Sequence, residues 1–313
     1  MTSVGGSTMD GLLVHASLPY NGVTEFVSGV RPFLEQGLRQ GEPALVFAPR
    51  PNVEELRGAL HDVSDITFLD AADVARNPAH IIPAALRFTE SHLGRRVRIV
   101  GEGIWPNRSP AEVREFVRHE ALVNIFFADI AATILCPFDE ALVDSTLQEH
   151  ARRTHPHALE GDTHRRCPTY VDPAITLSTT NWFTPAPSSV DTLHFNLHDL
   201  RRLRNEVRSR ADEAGVTPER SAELVLAASE AAANTLRHTD YGGELRTWID
   251  GGAFVCEVTD RGHIKDAHLT GRLVPPTDSP GGRGLWLMNQ LCDLVELRSD
   301  ASGTIIRLHI SIG

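Results

Sequence analysis

From residue 12 onward, short apolar runs without polar alternation take turns with longer stretches whose apolar residues recur every three or four positions. Runs at 12–15, 44–48, 66–69, 97–100 and 132–136 predict strands buried on both faces, because a strand with one wet face alternates apolar and polar side chains. The stretches between them predict helices. The first carries Val23, Phe26, Val27, Val30, Phe33, Leu34 and Leu38 on one side and stops at Gly41; others span 52–60, 81–92, 109–124 and 140–153. This alternation predicts a mostly parallel sheet with helices on both faces. Ligands of such sheets sit at the carboxyl ends of the strands. That rule nominates His15, Asp70, Glu102 and the run Cys136-Pro137-Phe138-Asp139.

Residues 173–190 are rich in Pro, Ser and Thr, without helical period, and predict a linker in which Trp182 and Phe183 dock on a domain surface and couple the two halves. Beyond it the pattern changes. A strand at 192–197 and a helix at 200–213 precede one long helix centred on 223–238, with Leu224, Leu226, Ala227, Ala231 and Leu236 at helical spacing. Strands follow at 244–249 and 254–259, then a lid at 262–281, a helix at 285–291, and strands at 294–298 and 304–310. Helices on one face of a mixed sheet give an α/β sandwich. There are no internal repeats.

Composition narrows the class. A chain of 313 residues has room for two domains, each with its own core. The net charge of −11 argues against a general nucleic-acid surface, which needs clustered positive charge, so no direct nucleic-acid partner is expected. Basic charge is carried almost wholly by arginine, Lys265 being the single lysine. Cys136, Cys167, Cys256 and Cys292 form no C-x-x-C and read as reduced thiols. The first ten residues read as a disordered leader with Met9 as an alternative start. Without a signal-type apolar segment or a run of membrane-spanning length, the expectation is a soluble cytoplasmic protein with no membrane partner.

Candidate chemistry concentrates in the last third. Glu230 and Asn234 stand four apart and share a helix face, and His238 extends the row. A carboxylate and a carboxamide on an apolar helix ask for a ligand or partner, or else mark a polar stripe at the edge of a core. Asp260-Arg261-Gly262 places a carboxylate at a strand end before a glycine turn, and Gly281-Gly282-Arg283-Gly284 opens an apolar helix. A helix start with bare backbone N–H groups suits a phosphate.

The ordered set E-x-x-x-N, D-x-G and G-x-G resembles the ATP-binding domain of the GHKL superfamily, of the Bergerat-type α/β sandwich, and more closely the RsbW-like anti-sigma factor serine kinases. The resemblance covers about residues 190–313. It implies ATP and Mg²⁺ as cofactors, with Asn234 as the metal ligand and Glu230 as the general base or water-orienting carboxylate. Asp260 would bond the adenine, Gly262 would admit the base, Gly282 and Gly284 would face the phosphates, and Arg283 would reach the terminal one. His238 is grouped with these nucleotide-binding residues. The family motif continues with Gly or Pro where Ile264 stands here, which puts the first bend of the lid in doubt.

Residues 10–172 resemble the MEDS sensory domain, a RecA-like domain proposed to sense small molecules. The likeness rests on His15, Gly41-Glu42, Gly101-Glu102 with Trp105, Cys136-Pro137-Phe138-Asp139 and His155-Pro156. It makes His15, Glu102, Cys136 and Asp139 the sensory candidates. No P-loop follows the first strand, so nucleotide hydrolysis is not expected here. His155, His157, His164 and Cys167 are potential metal ligands in what reads as an arginine-rich linker, at a spacing that matches no standard site. Cys136 is either a reactive thiol or an inert buried one.

Together the two resemblances imply a switch: a domain sensing an unknown small-molecule signal governs an ATP-binding domain that controls a sigma factor. Control would run by sequestration or by phosphorylating a STAS-type anti-anti-sigma protein on Ser or Thr, and in the family it goes with homodimerisation. One alternative is a histidine-kinase-like two-component protein, since His198-Asp199-Leu200-Arg201 superficially resembles an acceptor box, although two long helices should then precede the ATPase. The other is an ATP-dependent adaptor without kinase activity.

Overall fold

A strand that is apolar at every position needs cover on both faces, and the central strands of the N-terminal half have it: Ala44–Ala48 and Val97–Gly101 are buried along their whole length. The coordinates, a computed structural model, describe residues 12–74, 76–103, 108–161, 163–275 and 282–312. The proposed leader, Trp105, Gly281 and the end of the lid lie outside the described residues.

In chain order the first half runs β1 (Leu13–Tyr20), α1 (Gly22–Arg39), β2 (Ala44–Ala48), α2 (Arg50–Ala59), β3 (Ile66–Asp70), α3 (Ala71–Val74), α4 (Ile81–Glu90), β4 (Val97–Gly101), α5 (Pro110–Phe126), β5 (Ala132–Asp139), α6 (Ser145–Thr154), β6 (His157–Glu160) and β7 (Thr163–Arg166). The second half runs α7 (Pro173–Thr179), β8 (Thr192–Phe195), α8 (Leu200–Glu213), α9 (Pro218–His238), β9 (Gly243–Asp250), β10 (Ala253–Asp260), α10 (Arg283–Leu291), β11 (Leu294–Asp300) and β12 (Gly303–Ser311). Two compact units result. One comprises residues to Val74, Ala84–Arg108 and Phe116–Thr176; the other comprises Ala75–Pro83, Ser109–Glu115 and Leu177–Gly313.

The first unit holds a seven-stranded sheet in the order β3-β2-β4-β5-β1-β6-β7, parallel except for the β6–β7 hairpin. α1 buries Phe26, Val30, Phe33 and Leu34 against Val46, Ala48 and Val100. Phe26 and Leu34 are fully buried, each stabilising the fold by about 1.5–3 kcal/mol. Three expectations are corrected. β1 and β5 each continue to Tyr20 and Asp139, so His15 and Cys136 lie within strands rather than at their carboxyl ends. The arginine-rich segment after α6 is no linker, because β6 pairs with β1 and so extends the sheet. Residues 173–179 are helical, not linker.

The second unit holds a five-stranded sheet, β11-β12-β10-β9-β8, in which every pairing is antiparallel, where a mixed sheet was expected. Its helix-facing side carries Phe254, Cys256 and Val258. α9 starts at Thr217, whose hydroxyl accepts the Arg220 N–H at 3.5 Å, with Pro218 at the first helical position. Leu224, Ala227, Ala228, Ala231 and Ala232 of α9 are fully buried, while Leu226, expected on the apolar face, is 45% exposed. The last carbonyls of α10, which have no partner within the helix, are met by Asn77, whose Nδ2 donates to Asn289 O (3.0 Å) and Cys292 O (3.1 Å).

Alternation puts Glu257 on the opposite side of that sheet. Its Oε2 accepts from Arg307 Nε at 2.7 Å and its Oε1 forms an ion pair with Arg246 at 2.5 Å, and Phe183 lies under the guanidinium groups of Arg298 (3.7 Å) and Arg307 (4.4 Å). Trp182 packs under Arg114 at 4.5 Å. The two aromatic residues therefore dock on this unit, as expected of them. Among the described residues no helix is long and apolar enough to cross a membrane.

Candidate functional site

Helical spacing alone puts Glu230 and Asn234 on one face of α9; the tertiary fold lays the start of α10 across them. A side chain at Gly284 would begin 3.0 Å from Glu230 Oε2 and 3.3 Å from Asn234 Nδ2. Glycine is what lets the α10 backbone approach a carboxylate and a carboxamide this closely. Two residues earlier, Gly282 takes a left-handed conformation (φ 87°) as the N-cap of α10, and no side chain caps the helix. Backbone N–H groups there stay available to an anion. Arg283 is the first residue of α10 and is exposed.

Asp260 ends β10 and is tied to the same helix. Its Oδ2 accepts the Thr235 hydroxyl and its Oδ1 accepts the Gly262 N–H, both at 2.6 Å. Thr235 follows Asn234, so Asp260 stands beside the Glu230–Asn234 row. Gly262 is needed for space rather than for an unusual φ: a Cβ there would lie 2.9 Å from both Asp260 Oδ1 and Thr239 Cγ2. Ile264, the departure from the family motif, anchors the turn instead of bending it freely. Its side chain packs against the core and its N–H donates to Ser299 Oγ at 2.7 Å. His238 is exposed in the last turn of α9.

Two residues that the sequence reading passed over complete this arrangement. Arg237 Nη1 donates to Asn234 Oδ1 at 3.2 Å, and Asn289 Nδ2 donates to Gly271 O at 3.1 Å, fastening the lid to α10. Asp260 also borders an open groove of about 730 Å³ with Phe195, Tyr241, Gly243, Thr259 and Gly303. Glu230, Asn234 and Gly284 do not line that groove, which includes Glu244, Arg246 and Ile305 on the sheet side away from the helices.

In the first unit the sensory candidates separate into two places. At the carboxyl ends of the strands, Glu102 accepts from the Tyr20 hydroxyl and from Asn52 Nδ2 at 2.9 Å, and Asp139 is paired in register with Tyr20. Burial pushes the Glu102 carboxyl up to about 7, against the hydrogen bonds from Tyr20 and Asn52, with Asp139 adding to the rise. A carboxyl raised in this way binds more protons folded than unfolded between pH 4.5 and about 7, so stability falls as pH rises through that window. The expected loss is at most roughly 3 kcal/mol. Glu102→Gln should flatten it, as measured by denaturant unfolding across that pH range.

Deeper, His15 meets Glu120, Cys136 and His155, all buried. His15 Nε2 lies 3.3 Å from both Glu120 Oε2 and Cys136 Sγ, and His155 Nε2 lies 3.2 Å from Glu120 Oε2. Burial and then the neighbouring His155 lower the pKa of His15. Burial raises Cys136 well above the usual thiol range, and Glu120 adds to that. Burial also acts to raise Glu120, but His155 and His15 more than offset it and hold the carboxyl well below its ordinary value. His157, His164 and Cys167 are not part of this group, which is the one His/Cys/carboxylate cluster of its kind among the described residues. Glu120 gave no signal in the sequence, because it sits mid-helix among other charged residues.

Residues 14–156 match the family described as MEDS, the methanogen/methylotroph, DcmR sensory domain, and residues 193–310 match the histidine kinase-like ATPase domain. Among solved structures, the RsbU and RsbW domains of Rv1364c from Mycobacterium tuberculosis align at 21% identity over 41% of this chain and 33% of that one, with a TM-score of 0.31. The histidine kinase AdeS of Acinetobacter baumannii aligns at 11% identity over 40% of this chain and 68% of its own, with a TM-score of 0.23. The blue-light activated histidine kinase EL346 of Erythrobacter litoralis aligns at 20% identity, over 36% and 40% of the two chains, with a TM-score of 0.25. This chain thus spans about a third of the first of these proteins. No curated protein matches it. The chain thus joins a segment similar to the MEDS sensory domain to one similar to the histidine kinase-like ATPase domain.

Proposed function

We propose that the second unit binds ATP with Mg²⁺ at Glu230, Asn234, Asp260 and the start of α10, and that the chain is an anti-sigma factor acting as a protein serine/threonine kinase under control of the sensory domain. The observation that carries this reading is the close approach of Gly284 to Glu230 and Asn234, a space that any side chain would fill. The donor types fit the cofactor. A hard ion such as Mg²⁺ takes oxygen ligands, which Asn234 Oδ1 supplies once Arg237 moves off it. Bound there, Mg²⁺ neutralises charge on the phosphates.

The protein's own part is positioning, since phosphoryl transfer needs alignment and charge neutralisation more than covalent help. Gly282 and Gly284 present N–H groups to the phosphates and Arg283 adds positive charge beside them. Asp260, with both oxygens oriented by Thr235 and Gly262, accepts from the adenine amino group. Glu230 takes the proton of the attacking hydroxyl. The substrate is a Ser or Thr of a STAS-type antagonist, and the regulated partner is a sigma factor.

Glu230→Ala is accordingly expected to keep nucleotide affinity and lose transfer by about 10²–10⁴-fold, measured as turnover against calorimetric binding. Full turnover in that variant removes Glu230 from the mechanism. His198, the alternative acceptor, sits in the short 3-10 turn Leu197–Asp199, capped by Asn196, with α8 alone between it and α9. Incubating the chain with labelled Mg²⁺-ATP and a STAS-type protein tests the assignment. Acid-stable label on a Ser or Thr of the STAS protein supports it, whereas acid-labile label lost in His198→Gln transfers the reading to a histidine kinase.

A further inference from the structure

We propose that His15, Glu120, Cys136 and His155 form a binding centre for one zinc-class divalent metal ion inside the sensory unit. Four elements bring them together: β1, α5, β5 and the C-cap of α6. Parallel pairing of β1 with β5 sets Ser17 opposite Cys136, so His15, two residues before Ser17, projects from the same face as the thiol.

Metric and chemistry agree. Zinc bonds to nitrogen or oxygen run about 2.0–2.1 Å and to sulfur about 2.3 Å, which makes the edges of a tetrahedron around it roughly 3.3–3.6 Å. The inter-ligand distances here are 3.2 Å (His155 Nε2 to Glu120 Oε2), 3.3 Å (His15 Nε2 to Glu120 Oε2 and to Cys136 Sγ) and 3.5 Å (Cys136 Sγ to Glu120 Oε2), and all four atoms lie within 4.8 Å of one another. Two imidazoles, a thiol and one carboxylate suit a borderline-soft ion such as Zn²⁺ and not Mg²⁺ or Ca²⁺.

The outer hydrogen bonds fix how the rings point. His15 Nδ1 faces Asn124 Oδ1 at 3.1 Å and His155 Nδ1 faces Ala151 O at 2.8 Å. Both partners are carbonyl oxygens and can only accept, so each Nδ1 carries a proton and each Nε2 is the ring atom turned toward Glu120, the orientation in which a second shell sets a metal-bound histidine. Asn124 is itself held, its Nδ2 donating to Thr154 O at 2.8 Å and to Glu120 O at 3.1 Å. Two ring nitrogens, a carboxylate oxygen and the Cys136 sulfur then converge in a buried place. His155 Nε2 in particular is 2% exposed by residue and lacks a hydrogen-bond partner, although it lies within ion-pair distance of Glu120. A cation satisfies all four atoms at once.

One side of the cluster opens on an apolar cavity. Glu120, Cys136 and His155 border it together with Phe116, Phe138 and Leu147, and its volume is about 20 Å³, room for one water-sized molecule. A metal here is therefore within reach of a single small ligand, which gives the sensory unit a chemical means of detection that does not rest on the ATP reading.

The test uses the full chain, stripped of metal by a chelator and titrated with Zn²⁺ and separately with Co²⁺ against a competing indicator. The expected result is one ion per chain, with a thiolate-to-cobalt charge-transfer band that disappears in Cys136→Ala. His155→Gln should bind Zn²⁺ at least tenfold more weakly, and Asn124→Ala about 10–100-fold more weakly. Circular dichroism of each variant separates lost ligation from lost fold. A wild-type chain that takes up neither ion, or that binds Co²⁺ without the charge-transfer band, overturns the proposal and leaves a hydrogen-bonded network in its place. Nucleotide binding measured on the same samples is unaffected by either outcome.

Discussion

Asn234→Ala is expected to abolish binding of Mg²⁺-ATP while leaving the fold intact. The side chain is half-buried at the edge of α9, and its amide atoms approach the Gly284 position to 3.3 and 3.6 Å. Truncation deletes an oxygen ligand without opening a core cavity, and Ala is the better helix former. Stability should therefore change by less than about 1 kcal/mol. Arg237 loses its acceptor in the variant but is exposed and finds water instead. Calorimetric titration with Mg²⁺-ATP, run beside a thermal melt, reads both halves of the prediction. Unchanged nucleotide affinity in a folded variant removes Asn234 from the site, and with it the reason for placing a triphosphate against Gly284.

The second large effect is on stability. Glu257 is 1% exposed and bridges Arg307, which is 5% exposed, and Arg246. Removing the carboxylate in Glu257→Ala leaves the Arg307 guanidinium buried with its charge unmatched, and breaking a buried pair from one side costs about 3–5 kcal/mol. Removing both charges should cost much less, because the pair's attraction largely offsets the desolvation of its members. Glu257→Leu combined with Arg307→Met is therefore expected to recover most of the loss. Arg246 is less deeply placed and can turn its head to solvent. Denaturant unfolding of the single and double variants measures the coupling; a double variant as unstable as Glu257→Ala would mean that packing under Phe183, not charge, holds this face.

Much of the secondary structure was legible because its causes are local. The strand at 44–48 and the helix at 200–213 fall where the apolar period puts them. The E-x-x-x-N row was legible for the same reason, since 3.6 residues per turn fixes which side chains share a face. The misses have equally specific causes. β6 and β7 carry His157 and His164 in a polar segment, and it is the pairing of β6 with β1 and of β7 with β6 that makes them strands. Leu226 satisfies a helical spacing rule yet faces solvent, because the buried face of α9 is made by Leu224, Val225, Ala227, Ala228, Ala231 and Ala232. His15 and Cys136 were chosen as strand ends because the apolar runs stop there; backbone pairing through Pro137 and Phe138 carries the strands on.

By itself the sequence determined most of the elements before residue 154 and after residue 192, and the residues of α9 that ask for a ligand, all through interactions spanning a few residues. Only the tertiary structure decided that Gly284 lies against Glu230 and Asn234, that Thr235 orients Asp260, and that His15 and His155 meet over Glu120 and Cys136. The physical reason is register. Which side chains from distant segments share a few cubic ångströms depends on how strands pair and helices pack, and no local preference of the chain encodes that distance.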